Sequence, residues 1–120
     1  MASTTFVSGN LTRDPEIRYL ADGTAMTTFC IAVNRRWQEK SSGTWNESTS
    51  FLDVACWREL AEHAAMSLTK GDRVLVNGYL EQRSWTSTEG KARSRIELVA
   101  QDLGPSLRFR PVSPHEELRV

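Results

Sequence analysis

Hydrophobic and polar residues alternate along much of this chain with a period of two, the period of a β-strand that buries one face. The alternation predicts five strands, the first of them over 4–10. Turn-forming clusters containing Gly23, Gly43 and Gly90 separate the strands. The side chains predicted to point into the core of the last four strands are Phe29, Ile31 and Val33; Leu52, Val54 and Cys56; Val74, Val76 and Leu80; and Ile96, Leu98 and Ala100.

One segment departs from this period. Leu60, Ala64 and Leu68 recur every four residues, which predicts a short helix over 58–69 that ends at Lys70-Gly71, a basic residue followed by a C-cap glycine. Three strands, a helix and two strands is the element order of an OB-fold. We therefore predict an all-β protein with one short helix: a five-stranded Greek-key barrel with the helix between strands three and four.

The length of 120 residues fits one domain. We place the OB-fold domain at 1–103 and a C-terminal arm at 104–120. Within the arm, Leu107 and Phe109 alternate with arginines, a pattern that suits an added strand clamping a neighbouring subunit. The flanking prolines suit an unstructured arm equally well.

Composition excludes several classes of protein. The chain has no signal-like N-terminus and no apolar run that could span a membrane, so we expect a cytoplasmic protein that is associated with the nucleoid. Cys30 and Cys56 are far apart in sequence and fall on opposite strand faces, which disfavours both a metal site and a disulfide. The acidic residues are dispersed, so a metal-dependent nuclease is not expected. We predict no catalytic residues, no cofactor and no metal.

Five aromatic residues have no place in the predicted core. If Leu52 and Val54 point into the barrel, their strand neighbours must point outward, because successive side chains take opposite faces. The remaining aromatics lie in polar connections, two between strands two and three and one between strands four and five. These five are Phe51, Trp57, Trp37, Trp45 and Trp85.

Basic residues accompany these aromatics, although lysine plus arginine (15) only balances aspartate plus glutamate (15). Arg35 and Arg36 precede Trp37, and four basic residues against one glutamate lie within 83–95. Exposed rings on which unpaired bases stack, next to cations that contact phosphates, are typical of single-stranded nucleic-acid binding. Two other interpretations stay open: an RNA-binding OB-fold, and a purely structural oligomer with the tryptophans at its interfaces. Trp45 could also simply fold a hairpin tip onto its own stem.

Three segments resemble the bacterial single-stranded DNA-binding protein family, and the similarity extends from about Phe6 to Leu103. They are G-N-L-T-R-D-P-E-I-R-Y at 9–19, W-Q-E-K-S-S-G-T-W-N-E-S-T-S-F-L-D-V-A-C-W at 37–57 and L-T-K-G-D-R-V-L-V-N-G-Y-L at 68–80. Trp45 and the sequence G-P-S-L-R after 103 are similar to the actinobacterial branch.

The resemblance implies sequence-tolerant binding and protection of single-stranded DNA in replication, recombination or repair, by a homotetramer built as a dimer of dimers. By the same resemblance, Trp37, Phe51, Trp57 and Trp85 stack on bases. The basic residues that it places near phosphate are Arg18, Lys70, Arg83 and Arg93.

The sequence departs from the family in two respects. Family members usually end in a glycine-rich linker and an acidic, Phe-terminated tip that recruits other enzymes. This chain ends at H-E-E-L-R-V, which fits either a shortened chain or a paralogue without the tail, so recruitment of repair proteins is not expected. In addition, Asp53 and Glu59 place acids beside the aromatics, which predicts weaker or more salt-sensitive binding.

Overall fold

The computed structural model describes residues 4–112, which form six strands and one helix. In chain order these are β1 (Thr5–Leu11), β2 (Glu16–Tyr19), β3 (Ala25–Gln38), β4 (Trp45–Trp57), α1 (Arg58–Ser67), β5 (Arg73–Thr86) and β6 (Ala92–Pro105). The predicted class, all-β with one short helix, is confirmed.

Five of the strands close into a barrel in the order β1, β5, β6, β4, β3 and back to β1. Among the strand pairs within 4–112, only β4–β6 is parallel. Two glycines allow the backbones to approach closely where strands cross. A Cβ at Gly9 would lie 2.6 Å from the carbonyl oxygen of Ala32, and one at Gly78 would overlap the carbonyl oxygen of Val99. The predicted five-stranded barrel is therefore confirmed.

The sixth strand, β2, is not a separate wall of the barrel. On β3, β1 pairs with Ile31 and Ala32, and β2 pairs with the four residues from Ala25 to Thr28. The two short strands thus follow one another along the same edge of β3. Because of β2, the helix lies between β4 and β5, that is, between strands four and five and not between three and four as predicted.

The helix packs against β2, β3 and β4 and contributes Ala61 and Ala64 to the core. The hydroxyl of Thr27 donates a buried hydrogen bond of 2.6 Å to the carbonyl oxygen of Ala61, which joins α1 to the barrel wall. The helix ends at Ser67, earlier than the predicted position 69, and Leu68 is already extended. Gly71 has a φ of +92° in the turn that follows, so it is not the C-cap of the helix.

Two long hairpins extend beyond the barrel. Residues 33–38 of β3 pair only with 45–50 of β4, and 82–86 of β5 pair only with 92–96 of β6, within the described part of the chain. We call these hairpins the β3–β4 ribbon and the β5–β6 ribbon. The sequence placed Trp37, Trp45 and Trp85 in connecting loops, which was wrong because all three lie on strands.

The ribbons also explain two errors in the predicted core. By their positions in the strands, Leu80 and Ile96 should share a face with the buried residues Val76 and Leu98, yet they are 52% and 58% exposed. Both lie where the β5–β6 ribbon leaves the barrel, so no opposing sheet covers them. Val74, Val76, Leu98 and the other barrel residues of these strands are buried as predicted.

The chain beyond the barrel folds back on the turn before β5. Strand β6 continues to Pro105, two residues past the predicted domain boundary, and 106–112 contains no strand. Arg110 forms an ion pair of 2.6 Å with Asp72, and the Phe109 ring lies beneath Arg73 and Arg108. Residues 113–120 of the predicted arm lie outside the described residues. The single helix of the described chain is too short and too polar to cross a membrane.

Candidate nucleic-acid interface

The outward face of β4 carries an evenly spaced row of side chains. Phe51, Asp53, Ala55 and Trp57 share this face, since alternate residues of a strand point the same way. Phe51 is 68% exposed, whereas Trp57 is half-buried. The two rings are about 20 Å apart along the strand, at ~3.3 Å per residue. A ligand that contacts both rings must therefore be long.

A strained residue fixes the end of this row. Arg58, directly after Trp57, has a φ of +60°, a left-handed conformation that is costly for a residue with a side chain. It turns the chain sharply from β4 into α1. Trp57 is consequently held at the junction of strand and helix, where its backbone is extended.

Next to this row lies a groove of about 400 Å³, formed by β2, β3, β4 and the base of the β5–β6 ribbon. Arg18, Arg83 and Trp85, three of the predicted site residues, line it. Arg93 pairs with Trp85 across the ribbon and stands just outside the groove. Arg18 and Trp85, which are 67 positions apart in the sequence (85 − 18), thus line one groove, which supports one continuous surface of rings and cations.

Four charged residues in the groove form two ion pairs. Arg83 lies 3.5 Å from Glu97, and Arg95 lies 3.1 Å from Asp53. The Arg95 guanidinium also sits 5.6 Å from the centroid of the Trp85 ring, within range of a cation–π contact. The sequence analysis did not assign Arg95 and Glu97 to the site. Strand parity could have indicated both residues, because Arg95 and Glu97 share one face of β6 with Arg93, which was predicted.

Arg13 is another groove residue that the sequence analysis missed. It forms an exposed ion pair of 3.8 Å with Glu16 of β2. Because β2 itself was not predicted, nothing in the sequence pattern placed Arg13 beside the strands. Arg13 thus adds a second guanidinium at the end of the groove occupied by Arg18, with its charge balanced by Glu16, which lines the groove too.

The β3–β4 ribbon carries its two tryptophans on opposite faces. Trp45 shares the face of Phe51, whereas Trp37 shares the other face with Arg35, as the unbroken register of the hairpin requires. Arg35 lies 5.1 Å from the Trp37 ring, and Arg36 lies 5.1 Å from the Trp45 ring. Each indole is therefore covered by a guanidinium on one side, and both rings are partly exposed.

Lys70 is a predicted site residue that does not line the groove. It belongs to the turn between α1 and β5, outside the groove, and its backbone N–H donates a hydrogen bond of 2.8 Å to Asp14. Asp14 follows Arg13 in the loop before β2. The contact connects the Lys70 turn to the edge of the groove, and a phosphate contact by Lys70 stays a prediction.

Within 4–112 the structure brings together no group of three side chains suited to hold a metal ion. Burial raises the pKa of Cys56 to about 12, so its thiol is neutral and unreactive at physiological pH. His63 is exposed on α1. The chemistry available on this surface is therefore stacking and ion pairing.

The chain matches the model of the Single-strand binding protein family over residues 2–106. It belongs to that family. Curated relatives are single-stranded DNA-binding proteins from Paenarthrobacter aurescens, 46% identical over 89% of this chain, and Mycolicibacterium smegmatis, 44% identical over 89%. The resemblance to the family and to its actinobacterial members is confirmed. The chain spans 63% and 66%, respectively, of the length of these two relatives.

Solved structures of single-strand binding proteins share the fold. A small single-stranded DNA-binding protein from Streptomyces coelicolor superposes with a TM-score of 0.71 at 31% identity, covering 89% of this chain and 96% of that one. The Plasmodium falciparum SSB, in complex with ssDNA, superposes with a TM-score of 0.80 at 22% identity, covering 88% and 96%. The predicted OB-fold is confirmed. Membership of the single-strand binding protein family agrees with the prediction that the chain is not an enzyme.

Proposed function

We propose that this chain binds and protects single-stranded DNA with little sequence preference, in replication, recombination or repair. The observation that carries the proposal is the continuity of the surface: Phe51 and Trp57 flank a groove lined by Arg18, Arg83 and Trp85. The two relatives named above are single-stranded DNA-binding proteins, which supports the same ligand.

The binding mechanism follows from the two kinds of side chain. Unpaired bases stack on exposed rings, each stack contributing ~1–3 kcal/mol, and any base can do so because every base has a π-face. The arginines contact phosphates, which adds a salt-dependent contribution that does not depend on sequence. Duplex DNA hides its base faces, so this surface discriminates against it.

Intrinsic fluorescence provides the test, because Trp57 and Trp85 belong to the proposed surface. Titration with oligo-dT should quench the emission, and a blunt duplex of equal length should not. Oligo-rU serves as a further ligand: quenching by rU at lower concentrations than by dT would favour the RNA-binding alternative. Absence of quenching by either single strand at low salt would contradict the proposal.

We further propose a homotetramer, formed as a dimer of dimers. The edge of β1 over 5–9 that faces away from β5 pairs with no strand among residues 4–112. Next to it, Phe6 and Leu75 are 77% and 54% exposed on a shallow, mainly apolar surface. A second copy of β1 would satisfy the free backbone groups, and burial of the apolar surface would join two such dimers. Light scattering should give four times the chain mass.

The C-terminal arm is proposed to stabilise that assembly by clamping a neighbouring subunit. Leu107 and Phe109 are 66% and 71% exposed, although both are large apolar residues. A truncation after Ser106 leaves β6 complete and removes this segment. If the segment is a clamp, the tetramer of the truncated chain should dissociate at a higher protein concentration than the tetramer of the full chain. An unchanged mass and an unchanged melting temperature would leave only an unstructured arm.

The proposed location is the cytoplasm, in association with the nucleoid, because single-stranded DNA arises there. The proposed partners are single-stranded DNA and further copies of this chain.

A further inference from the structure

Two carboxylates and two guanidiniums form a compact arrangement in the groove, which we call the charge quartet: Asp53, Glu97, Arg83 and Arg95. Asp53 and Glu97 are direct partners on the parallel strands β4 and β6, and Arg83 and Arg95 are direct partners on β5 and β6. Like charges opposite each other destabilise a sheet. The two ion pairs offset this repulsion and leave the quartet neutral.

The two halves of the charge quartet differ in burial. The Glu97 side chain is only 6% exposed, and removing its partner Arg83 would leave a buried charge uncompensated, which is costly. The Asp53 side chain is 36% exposed and that of Arg95 is 54% exposed, so water can solvate both if the pair opens. The Arg83–Glu97 pair is therefore fixed, whereas the Arg95–Asp53 pair can exchange its partners.

We infer that Asp53 is a positioning residue that competes with DNA phosphate for Arg95 and thereby lowers both the affinity and the salt dependence of binding. The inference rests on the proposed function. In the free protein, Asp53 holds the Arg95 guanidinium over the Trp85 ring, at the distances given above. A phosphate entering the groove must take the guanidinium from Asp53, so the gain from the new contact is reduced by the loss of the old one.

Counterion release gives the sign of the effect on salt dependence. Each phosphate that an arginine neutralises on a single strand releases a cation and steepens the plot of log affinity against log salt by about 0.7. When Arg95 leaves Asp53, the freed carboxylate attracts a cation, and this uptake cancels much of the release. The plot is then shallower than the number of arginines suggests. This is the opposite of the greater salt sensitivity that the sequence analysis offered as one of its two expectations.

The test is Asp53→Asn in the full chain, with Glu62→Gln as the matched control. Glu62 loses the same charge but lies on α1 and contacts Tyr19, whose side chain points away from the groove. Affinity for an oligo-dT of about eight nucleotides, within the usual site size of one OB-fold, is measured by fluorescence at several salt concentrations. Asp53→Asn should bind about two- to fivefold more tightly at low salt, the range for partly exposed ion pairs. Its slope should steepen by up to about 0.7.

A double-mutant cycle separates competition from simple repulsion. In an Arg95→Gln background, Asp53→Asn should change neither affinity nor slope beyond the effect of Glu62→Gln, because the contested guanidinium is gone. An equal gain in both backgrounds would mean that Asp53 repels DNA directly and would overturn the inference. Identical behaviour of Asp53→Asn and Glu62→Gln in the otherwise native chain would overturn it too. Failure of the native chain to bind oligo-dT would overturn the proposed function, and this inference with it.

Discussion

Phe51 offers a direct test of the stacking surface, because its ring is 68% exposed on the outward face of β4. Phe51→Ala removes the ring and leaves the backbone register intact. If one base stacks on this ring, the loss is ~1–3 kcal/mol per site. At about 1.4 kcal/mol per tenfold change, the affinity for single-stranded DNA should fall roughly 5- to 150-fold.

The same exposure limits the cost to folding. Full burial of a phenylalanine side chain contributes ~1.5–3 kcal/mol, and Phe51 buries only the remaining third of its surface. The free energy of unfolding should therefore fall by about 1 kcal/mol or less. The loss in binding should exceed the loss in stability, which is the reverse of what a core residue would give.

Phe109→Ala is the matched control, since Phe109 is 71% exposed but lies beyond β6 and outside the groove. Fluorescence titration with a short oligo-dT measures the affinity of both variants, and urea unfolding measures their stability. Phe109→Ala should bind short oligo-dT like the native chain. If the two variants bind equally well, Phe51 is not a stacking residue and the continuous surface is wrong.

Four further perturbations test other parts of the structure. Arg93→Gln should flatten the plot of log affinity against log salt by about 0.7 for the lost phosphate contact, without loss of stability. Arg83→Gln should flatten the same plot and in addition lower the melting temperature, because it leaves buried Glu97 unpaired. Equal melting temperatures of the two variants would contradict a fixed Arg83–Glu97 pair. Gly78→Ala should lower the free energy of unfolding by at least about 1–3 kcal/mol in urea titrations, because the added methyl overlaps a carbonyl oxygen of β6. Burial raises the pKa of Cys56 to about 12, so a thiol reagent at pH 8 should modify at most one cysteine per folded chain. The contribution of the Cys56 thiol to stability should disappear as the pH rises from about 9 to 12.

The sequence predicted the barrel well because each of its walls buries one face. Phe29, Val54 and Val76 each belong to a set of apolar residues at every second position, and all three are almost completely buried. Outside the barrel this signal disappears. Both faces of a ribbon meet solvent, so its strands show no alternation and resemble loops. Strand β2 was missed on the same grounds, since all four of its residues are exposed.

The candidate site was only partly predictable. Outward parity identified Phe51, and the structure places Arg83 and Trp85 in the neighbouring groove, on the same face of the sheet. The Arg95–Asp53 ion pair was beyond reach, because β6 and β4 meet only through their parallel contact. Parallel strands are joined by long crossovers, so sequence spacing carries no information on which of their residues meet.

The two-faced β3–β4 ribbon constrains how a bound polymer could leave. Trp37 and Trp45 point to opposite sides of this two-stranded ribbon, and no third strand within 4–112 covers the edges of residues 33–38 and 45–50. A flexible chain that touches both rings must pass around an edge or over the tip of the hairpin. Such a chain cannot lift off in one direction. It has to peel away from one side first, so dissociation becomes stepwise, and a competing strand can occupy the vacated side before release is complete.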